Sequence, residues 1–351
     1  MTVESFLARR RFLVGGAVVG AGALIAGCTS NEQPQTQPQA VAGGQGDNAQ
    51  PGKQVTIGFS APAADHGWMA AMTKNAKAQA QQFTDVTLNA TEGTNDVSQQ
   101  IAQVETLINA QVSVLVILPF DGTALTQIGR QAMDAGIPVV NVDRAFDTPL
   151  AYRTWIGGDN YGMGANAGNY VSAELKRRGV ANPVIGEVAG IDSLPLTQQR
   201  SKGFRDALER NGFRLGPRVS AQFTPESGEQ QAANLLQSAR KLDALWNHDD
   251  DQGVGVVAAI ESAGRKEFFM VGGAGSRNMM DQIKADSGPV KATVLYNPSM
   301  ASSAIALARL LGHAKGLGDL AEHEIPKSIT TYSAVVTKEN VDQYLDVGFD
   351  S

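Results

Sequence analysis

From residue 54 to its end, the chain alternates short β-branched apolar runs with longer stretches of helical periodicity, and few folds accept that alternation. "VTIGFSAP", "VTLNAT", "SVLVILP" and "IPVVNVD" read as strands, and the first, third and fourth are almost continuously apolar. Such strands are covered on both faces, as in a parallel sheet flanked by helices. Between them lie "WMAAMTKNAKAQAQQF", "VSQQIAQVETLINA" and "GTALTQIGRQAMDAG". In the second of these, Val97, Ile101, Val104, Leu107 and Ile108 share one helical stripe. Repeated βαβ units predict an α/β fold with a doubly wound sheet.

The same grammar then starts again. "TWIGGDN" precedes a helix at 160–178, "PVIGEVAG" one at 196–211, "RVSAQFT" one at 227–239, "ALWNHDD" one at 252–264 and "FFMVGGAG" one at 277–285. "VKATVLYNP", a helix at 298–315 and a last strand "TTYSAVVT" complete the pattern. Two such halves predict two doubly wound parallel-sheet lobes joined by a hinge. The expected N-terminal lobe is 54–158 plus 297–327, and the C-terminal lobe 159–296 plus 328–351. Chain crossings are expected near Gly158–Asp159, Tyr296–Asn297 and Lys327–Thr331. Ligands of such sheets sit beyond the carboxyl ends of the strands, which here means the cleft between lobes.

The first residues read as an export signal. A basic "LARRRFLVGG" leads into a glycine-rich apolar run that ends at Gly27 and is short for a membrane span. "LIAGC" resembles the lipobox of bacterial lipoproteins, which makes residues 1–27 a signal peptide and Cys28 the lipidated first residue of the mature chain. "RRRFL" also resembles the twin-arginine export motif, with Ala8 and Val14 as departures, and Sec export stays open. Residues 28–53, rich in Gln, Pro, Gly and Asn, are expected to be a disordered tether. Residues 1–27 hold three of the 29 basic and one of the 35 acidic residues, so the remainder carries a net charge of −8. That balance speaks against nucleic acid as a partner, and a single cysteine excludes an internal disulfide.

Residues expected at the strand ends are acids, one arginine and aromatics. Asp65, His66 and Trp68 follow the first strand, with Met69 taken beside them as a contact. Asp143 and Arg144 follow the fourth strand, and Phe223, Asp249 and Tyr296 follow strands of the second half. Ionised Asp143 can accept hydrogen bonds from adjacent hydroxyls, and the Arg144 fork can donate to oxygens. Trp68 and Phe223 can cover C–H faces. These features suit a sugar or polyol. Each has a plainer reading as well: a surface ion pair for Asp143–Arg144, core packing for Trp68 and a solvated loop for His66. Asp249, Asp250 and Asp251 follow His248 in a run that invites a metal reading, but no partner histidine or cysteine stands at ligand spacing. Acids at a helix start are stabilised by its dipole. Asp250 and Asp251 are therefore read as structural, and Asp249, with His248 possible beside it, as facing the cleft. Neither "VGGAGSRN" nor "IGGDNYGMG" is a nucleotide loop, so no cofactor is expected. Absence of a nucleophile elbow, a metal-spaced set or a phosphate loop also argues against an enzyme built on His66, His248 and the acids.

From about Gln54 onward the chain resembles the periplasmic sugar-binding proteins of the ribose-binding type, the solute-binding subunits of ABC importers with the type I periplasmic-binding fold. "VTIGFSAPAADHGWM", "GIPVVNVDRAF", "IGGDNYGMG", "QQRSKGF", "NHDDDQGVGVVAAIESAG" and "MVGGAGS" carry the resemblance. It implies that His66 and Trp68 stand at an amide and an aromatic of the sugar sandwich. It also implies that Asp143–Arg144 match the family's Asp-Arg pair, that Phe223 is the facing aromatic and that Asp249 replaces a ligand-binding Asn. Gln198 stands in place of an arginine, Ala274 of an aspartate and Tyr296 of a glutamine, so a ligand other than ribose is implied. The resemblance further implies an ABC permease as partner, membrane attachment through Cys28 and a monomeric, non-enzymatic carrier. The alternative is a lipid-anchored receptor that signals to a membrane sensor or chemoreceptor.

Overall fold

The computed structural model describes residues 48–318 and 324–351. The signal peptide, Cys28 and the tether as far as residue 47 lie outside the described residues. The first lobe is a sheet of β1 (Val55–Ser60), β2 (Val86–Ala90), β3 (Val114–Ile117), β4 (Val139–Val142), β5 (Thr154–Gly158) and β11 (Ser328–Thr331). Its order is β11-β5-β4-β3-β1-β2, all parallel. The second lobe holds β6 (Ile185–Ala189), β7 (Leu215–Ser220), β8 (Ala244–Asn247), β9 (Phe269–Ala274), β10 (Val290–Leu295) and β12 (Val335–Thr337). Its order is β12-β10-β9-β8-β6-β7, parallel except for β12, which runs antiparallel to β10.

Helices α1 (Gly67–Gln81), α2 (Val97–Asn109), α3 (Gly122–Asp134) and α9 (Met300–Gly312) accompany the first sheet. The second has α4 (Asn160–Arg177), α5 (Pro195–Arg210), α6 (Pro225–Ser238), α7 (Asp250–Ser262) and α8 (Arg277–Ala285). The apolar runs become the central strands β3, β4, β6, β8 and β9, buried along their whole length. Strands β2, β7 and β11 lie at sheet edges, and their residues are half-buried or exposed. Most helices begin at a residue whose side chain accepts from the first turn: Asp96 from the Gln99 N–H, Asp121 from Ala124, Thr224 from Ser227 and Asp249 from Asp251. Helix α1 does not, because His66 at its N-cap makes no side-chain cap bond.

Two boundaries differ from expectation. "TTYSAVVT" is not one strand. Ser328–Thr331 pairs with β5, with Ser328 beside Trp155 and Thr331 beside Gly158, while Val335–Thr337 pairs antiparallel with β10. The Trp155 N–H to Lys327 O bond (3.0 Å) and the Asp159 N–H to Thr331 O bond (3.1 Å) draw residues 328–331 into the first lobe. The third crossing therefore falls at residues 332–334, beside the other two: Ser333 Oγ donates to Asp159 O, and Leu295 N–H to Ala334 O. Residues 48–53, expected to belong to the tether, are also placed against the first lobe. Buried Arg309 needs acceptors and finds the carbonyls of Asn48 (2.6 Å) and Gln50 (2.8 Å), while Gly52 N–H donates to Asp85 (2.6 Å), so residues 48–53 are fastened to the first lobe.

Candidate ligand-binding site

The carboxyl ends of both sheets face one another around a cavity of about 310 Å³. The first lobe supplies His66, Trp68, Asp143 and Arg144, and the second Leu196, Arg200, Phe223 and Asp249, with Tyr296 at the second crossing forming a shared wall. Its aromatic walls are fixed. Trp68 Nε1 donates to Tyr296 O (2.8 Å), with the two rings 5.8 Å apart. Across the cleft, His66 and Phe223 face each other at 6.5 Å with planes 29° apart. Asp143 and Phe223 both sit in the left-handed backbone region, at φ 60° and 64°. For residues with side chains this costs on the order of 1–3 kcal/mol, and such strain gathers at binding and catalytic sites.

The polar groups form an interlocked set. Asp143 Oδ1 accepts from the Tyr296 hydroxyl (2.5 Å), which also receives the Asn160 Nδ2 donor (3.2 Å). Burial raises the Tyr296 pKa and the Asp143 charge raises it further, so the phenol stays protonated and donates. Arg144 Nη1 donates to Phe120 O (2.6 Å), but its Nε is buried with no hydrogen-bond partner, 3.9 Å from Asp143 Oδ2. Burial lowers the Arg144 pKa and the Asp143 charge opposes it; a guanidinium stays charged. Asp249 accepts the Asp251 N–H (2.8 Å) and has its pKa raised, first by burial and then by the Asp251 and Asp250 charges. The lining thus sets two arginines and two carboxyl groups around aromatic faces, donors and acceptors suited to an uncharged ligand rich in hydroxyls.

Seven of the ten expected contacts, His66, Trp68, Asp143, Arg144, Phe223, Asp249 and Tyr296, line this cavity. Three do not. Met69 is 1% exposed and packs in the first-lobe core, because one helical step from Trp68 turns it towards the sheet. Exposed Asp65 stands behind His66, with Oδ1 2.5 Å from His66 Nδ1 and Oδ2 accepting from Asn95 (2.7 Å). Gln198 faces solvent and donates to Asp192 O (3.1 Å). The residue missed is Arg200. Two positions along α5 is about 200° of rotation, so Gln198 and Arg200 cannot share a face. Arg200 is the one turned inward, 4% exposed, with Nε donating to Asn160 Oδ1 (2.8 Å) and its guanidinium 4.5 Å from the Tyr296 ring. Glycines let α5 approach α4: a Cβ at Gly164 would strike the Arg200 carbonyl, and one at Gly203 the Tyr161 carbonyl. The inward position of "QQR" was open to the helical period, since Arg200 falls on the stripe with Leu196, Gly203 and Phe204.

The acidic run also separates. His248 is fully buried behind the cavity wall, its Nε2 2.7 Å from Glu187 Oε1 and its ring 4.1 Å from Trp246, so it does not stand beside Asp249 in the site. Burial lowers the His248 pKa, while Glu187 opposes that shift. Ser201 Oγ meets the same Glu187 oxygen (2.7 Å), so the imidazole is held by the carboxylate and is not positioned to activate the hydroxyl. Asp250 accepts from the backbone of Gly273, Gly275 and Ser276 and from Thr293 Oγ1. Asp251 reaches the other lobe and accepts from Gly67 and Trp68. Among the described residues, no group of three or more His, Cys, Asp or Glu is arranged to hold a metal ion.

Two α/β lobes, three adjacent crossings and a walled cavity between strand ends define a two-lobed cleft-binding protein. A sequence model of the periplasmic binding protein domain matches residues 57–316, and the chain belongs to that family. It is 32% identical over 202 residues to the D-ribose/D-allose-binding protein of Pseudomonas aeruginosa, an alignment covering 55% of this chain and 62%, just under two thirds, of that protein. It is 26% identical over 302 residues to the galactofuranose-binding protein of Escherichia coli, covering 84% of this chain and 93% of that one. A solved ABC transporter solute-binding protein from Mycobacterium smegmatis with bound glycerol superposes with a TM-score of 0.74 at 25% identity, covering 85% of this chain and 99% of its own.

Proposed function

We propose that this protein is an extracytoplasmic solute-binding protein that captures a neutral monosaccharide or polyol between its lobes and delivers it to an ABC permease. The observation that carries this reading is the buried, unpartnered Nε of Arg144 beside Asp143, set in a cavity walled by Trp68 and Phe223. A buried donor without an acceptor costs about 1–3 kcal/mol, and a ligand hydroxyl or ring oxygen offsets that cost. The relatives are named for ribose, allose and galactofuranose, which are ligands of that chemistry. Closure about the three crossings encloses the ligand, and a lipid on Cys28 holds the protein to the outer face of the cytoplasmic membrane. Asp143, Arg144, Arg200 and Asp249 supply hydrogen bonds in this scheme, and no residue performs covalent chemistry.

A thermal-shift screen of aldoses, ketoses and polyols followed by calorimetry tests the reading, since a ligand that binds only the folded state raises its melting temperature. One or more neutral sugars or polyols are expected to bind saturably, and Asp143→Ala or Arg144→Ala to weaken that binding by about a hundredfold or more. Unchanged affinity in both variants would refute the site. Cys28→Ala is expected to move the protein from the membrane fraction to the soluble one, and persistent membrane attachment would refute the anchor.

A further inference from the structure

The ligand cavity does not end at its own walls. Asp143, Arg144 and Leu196 also border a second chamber of about 1190 Å³, between the loops after β3, β4 and β5 on one lobe and the loop before α5 on the other. The inner cavity is the narrower of the two. The outer chamber is several times larger.

Resting on the reading above, we infer that the outer chamber is a subsite for the substituent of a neutral glycoside, so that the preferred ligand is a sugar bearing a second ring rather than the free monosaccharide. Trp155 and Tyr152 line the first-lobe side. Trp155 is held in place, because its Nε1 donates to Asp143 O (3.1 Å), the backbone of a residue that lines both chambers. Leu194 and Leu196 line the second-lobe side and pack with Phe223. An aromatic wall opposite an aliphatic one is a slot for a ring, since sugar C–H faces and aryl groups both stack on such surfaces. Charge narrows the class further. The outer chamber is lined by Asp121, Asp143 and Asp147 against Arg144 as its one cation. Arg144 already donates to Phe120 O and lies over the Phe120 ring at 5.6 Å. A substituent bearing phosphate or carboxylate would meet net negative charge, three carboxylates against one guanidinium, and a neutral ring would not.

Calorimetry on the mature full chain decides the matter, with D-ribose, D-allose, L-arabinose and D-galactose each offered as free sugar, methyl glycoside and phenyl glycoside. For the parent sugar that binds, the phenyl glycoside is expected to bind about tenfold more tightly than the free sugar. Gln199→Trp, which fills the chamber from its exposed rim, and Tyr152→Ala, which removes its aromatic wall, are each expected to lower the ratio of phenyl-glycoside to free-sugar affinity by about tenfold. Binding of the free sugar with exclusion of every glycoside overturns the inference and leaves the sugar-binding reading intact. A ratio that neither variant changes does the same. Binding of neither free sugar nor glycoside overturns both.

Discussion

The Asp251 carboxylate, in the first turn of α7 on the second lobe, accepts the backbone N–H of Trp68 (2.8 Å) at the start of α1 on the first lobe, together with that of Gly67 (3.1 Å). Helix α1 has no side-chain cap from its own N-cap residue, His66. The orphan donors of its first turn are thus satisfied by an acid from the opposite lobe, which also sits favourably at the positive end of the α1 dipole. Since Asp251 N–H is itself held by Asp249 in the cavity wall, the clasp and the ligand site share one loop.

Loss of this clasp is expected to speed ligand release. Hydrogen bonds to a charged group contribute about 1.5–3 kcal/mol, so Asp251→Ala is predicted to weaken sugar affinity by roughly ten- to a hundredfold. Stopped-flow fluorescence of Trp68 should find the change in the off-rate, and small-angle scattering should find a more open average shape. A wild-type off-rate in the variant would show that closure does not depend on the clasp.

Arg200 and Gln198 separate the sequence expectation from the structure. Arg200→Ala removes a buried cation that holds Asn160 and lies over Tyr296, and a loss of about a hundredfold in sugar affinity is expected. Gln198→Ala touches a solvent-facing loop contact and should leave affinity within about twofold. Paired titrations of the two variants, with melting temperatures as a folding control, test this, and equal losses would contradict the placement.

The lobes were legible because apolar run length and helical period report burial directly. The runs that looked almost continuously apolar are β1, β3 and β4, and all but one of their residues are buried. Cavity-lining positions were legible where a residue followed a strand, as with Asp143 and Asp249, because strand ends converge on the cleft in any doubly wound sheet. What the pattern could not convey was direction. Gln198, Met69 and Arg200 lie on helices, where one or two positions decide between core, solvent and cavity. The third crossing was misplaced for a related reason. "SITT" and "AVVT" are both β-branched, and only their pairing with β5 and β10 assigns them to different lobes.

Acid should release residues 48–53 from the first lobe. Arg309 grips Asp85 through two bonds of 2.7 Å, and that hydrogen bonding, against the opposing effect of burial, lowers the Asp85 pKa to about 2 from 3.8. A depressed carboxylate stabilises the fold fully above the unfolded value and loses that contribution as pH falls from about 4 through about 2, in total on the order of 2 kcal/mol. Urea midpoints measured across that range should fall more steeply for the wild type than for Asp85→Asn, which has no charge to lose. Parallel curves would assign the acid sensitivity to other groups.

Asp250 separates a structural acid from a ligand-binding one within a single run of three. Its oxygens accept from Gly273 (2.8 Å), Gly275 (3.0 Å), Ser276 (2.8 Å) and Thr293 (2.9 Å), all buried, and so hold the turn after β9 against the start of α7. Asp250→Ala strands these donors in a site with no room for bulk water, and each unpaired donor costs about 1–3 kcal/mol. A loss of at least about 3 kcal/mol is expected, visible as a lower urea midpoint. Asp250→Asn should lose less, because its amide keeps one acceptor while its NH₂ meets donors. Asp249→Ala should show the reverse profile, losing sugar affinity with a small change in midpoint, because that carboxylate faces the cavity and spends one backbone bond on the helix start. If Asp250→Ala folded with wild-type stability but failed to bind, the two adjacent acids would have to exchange roles.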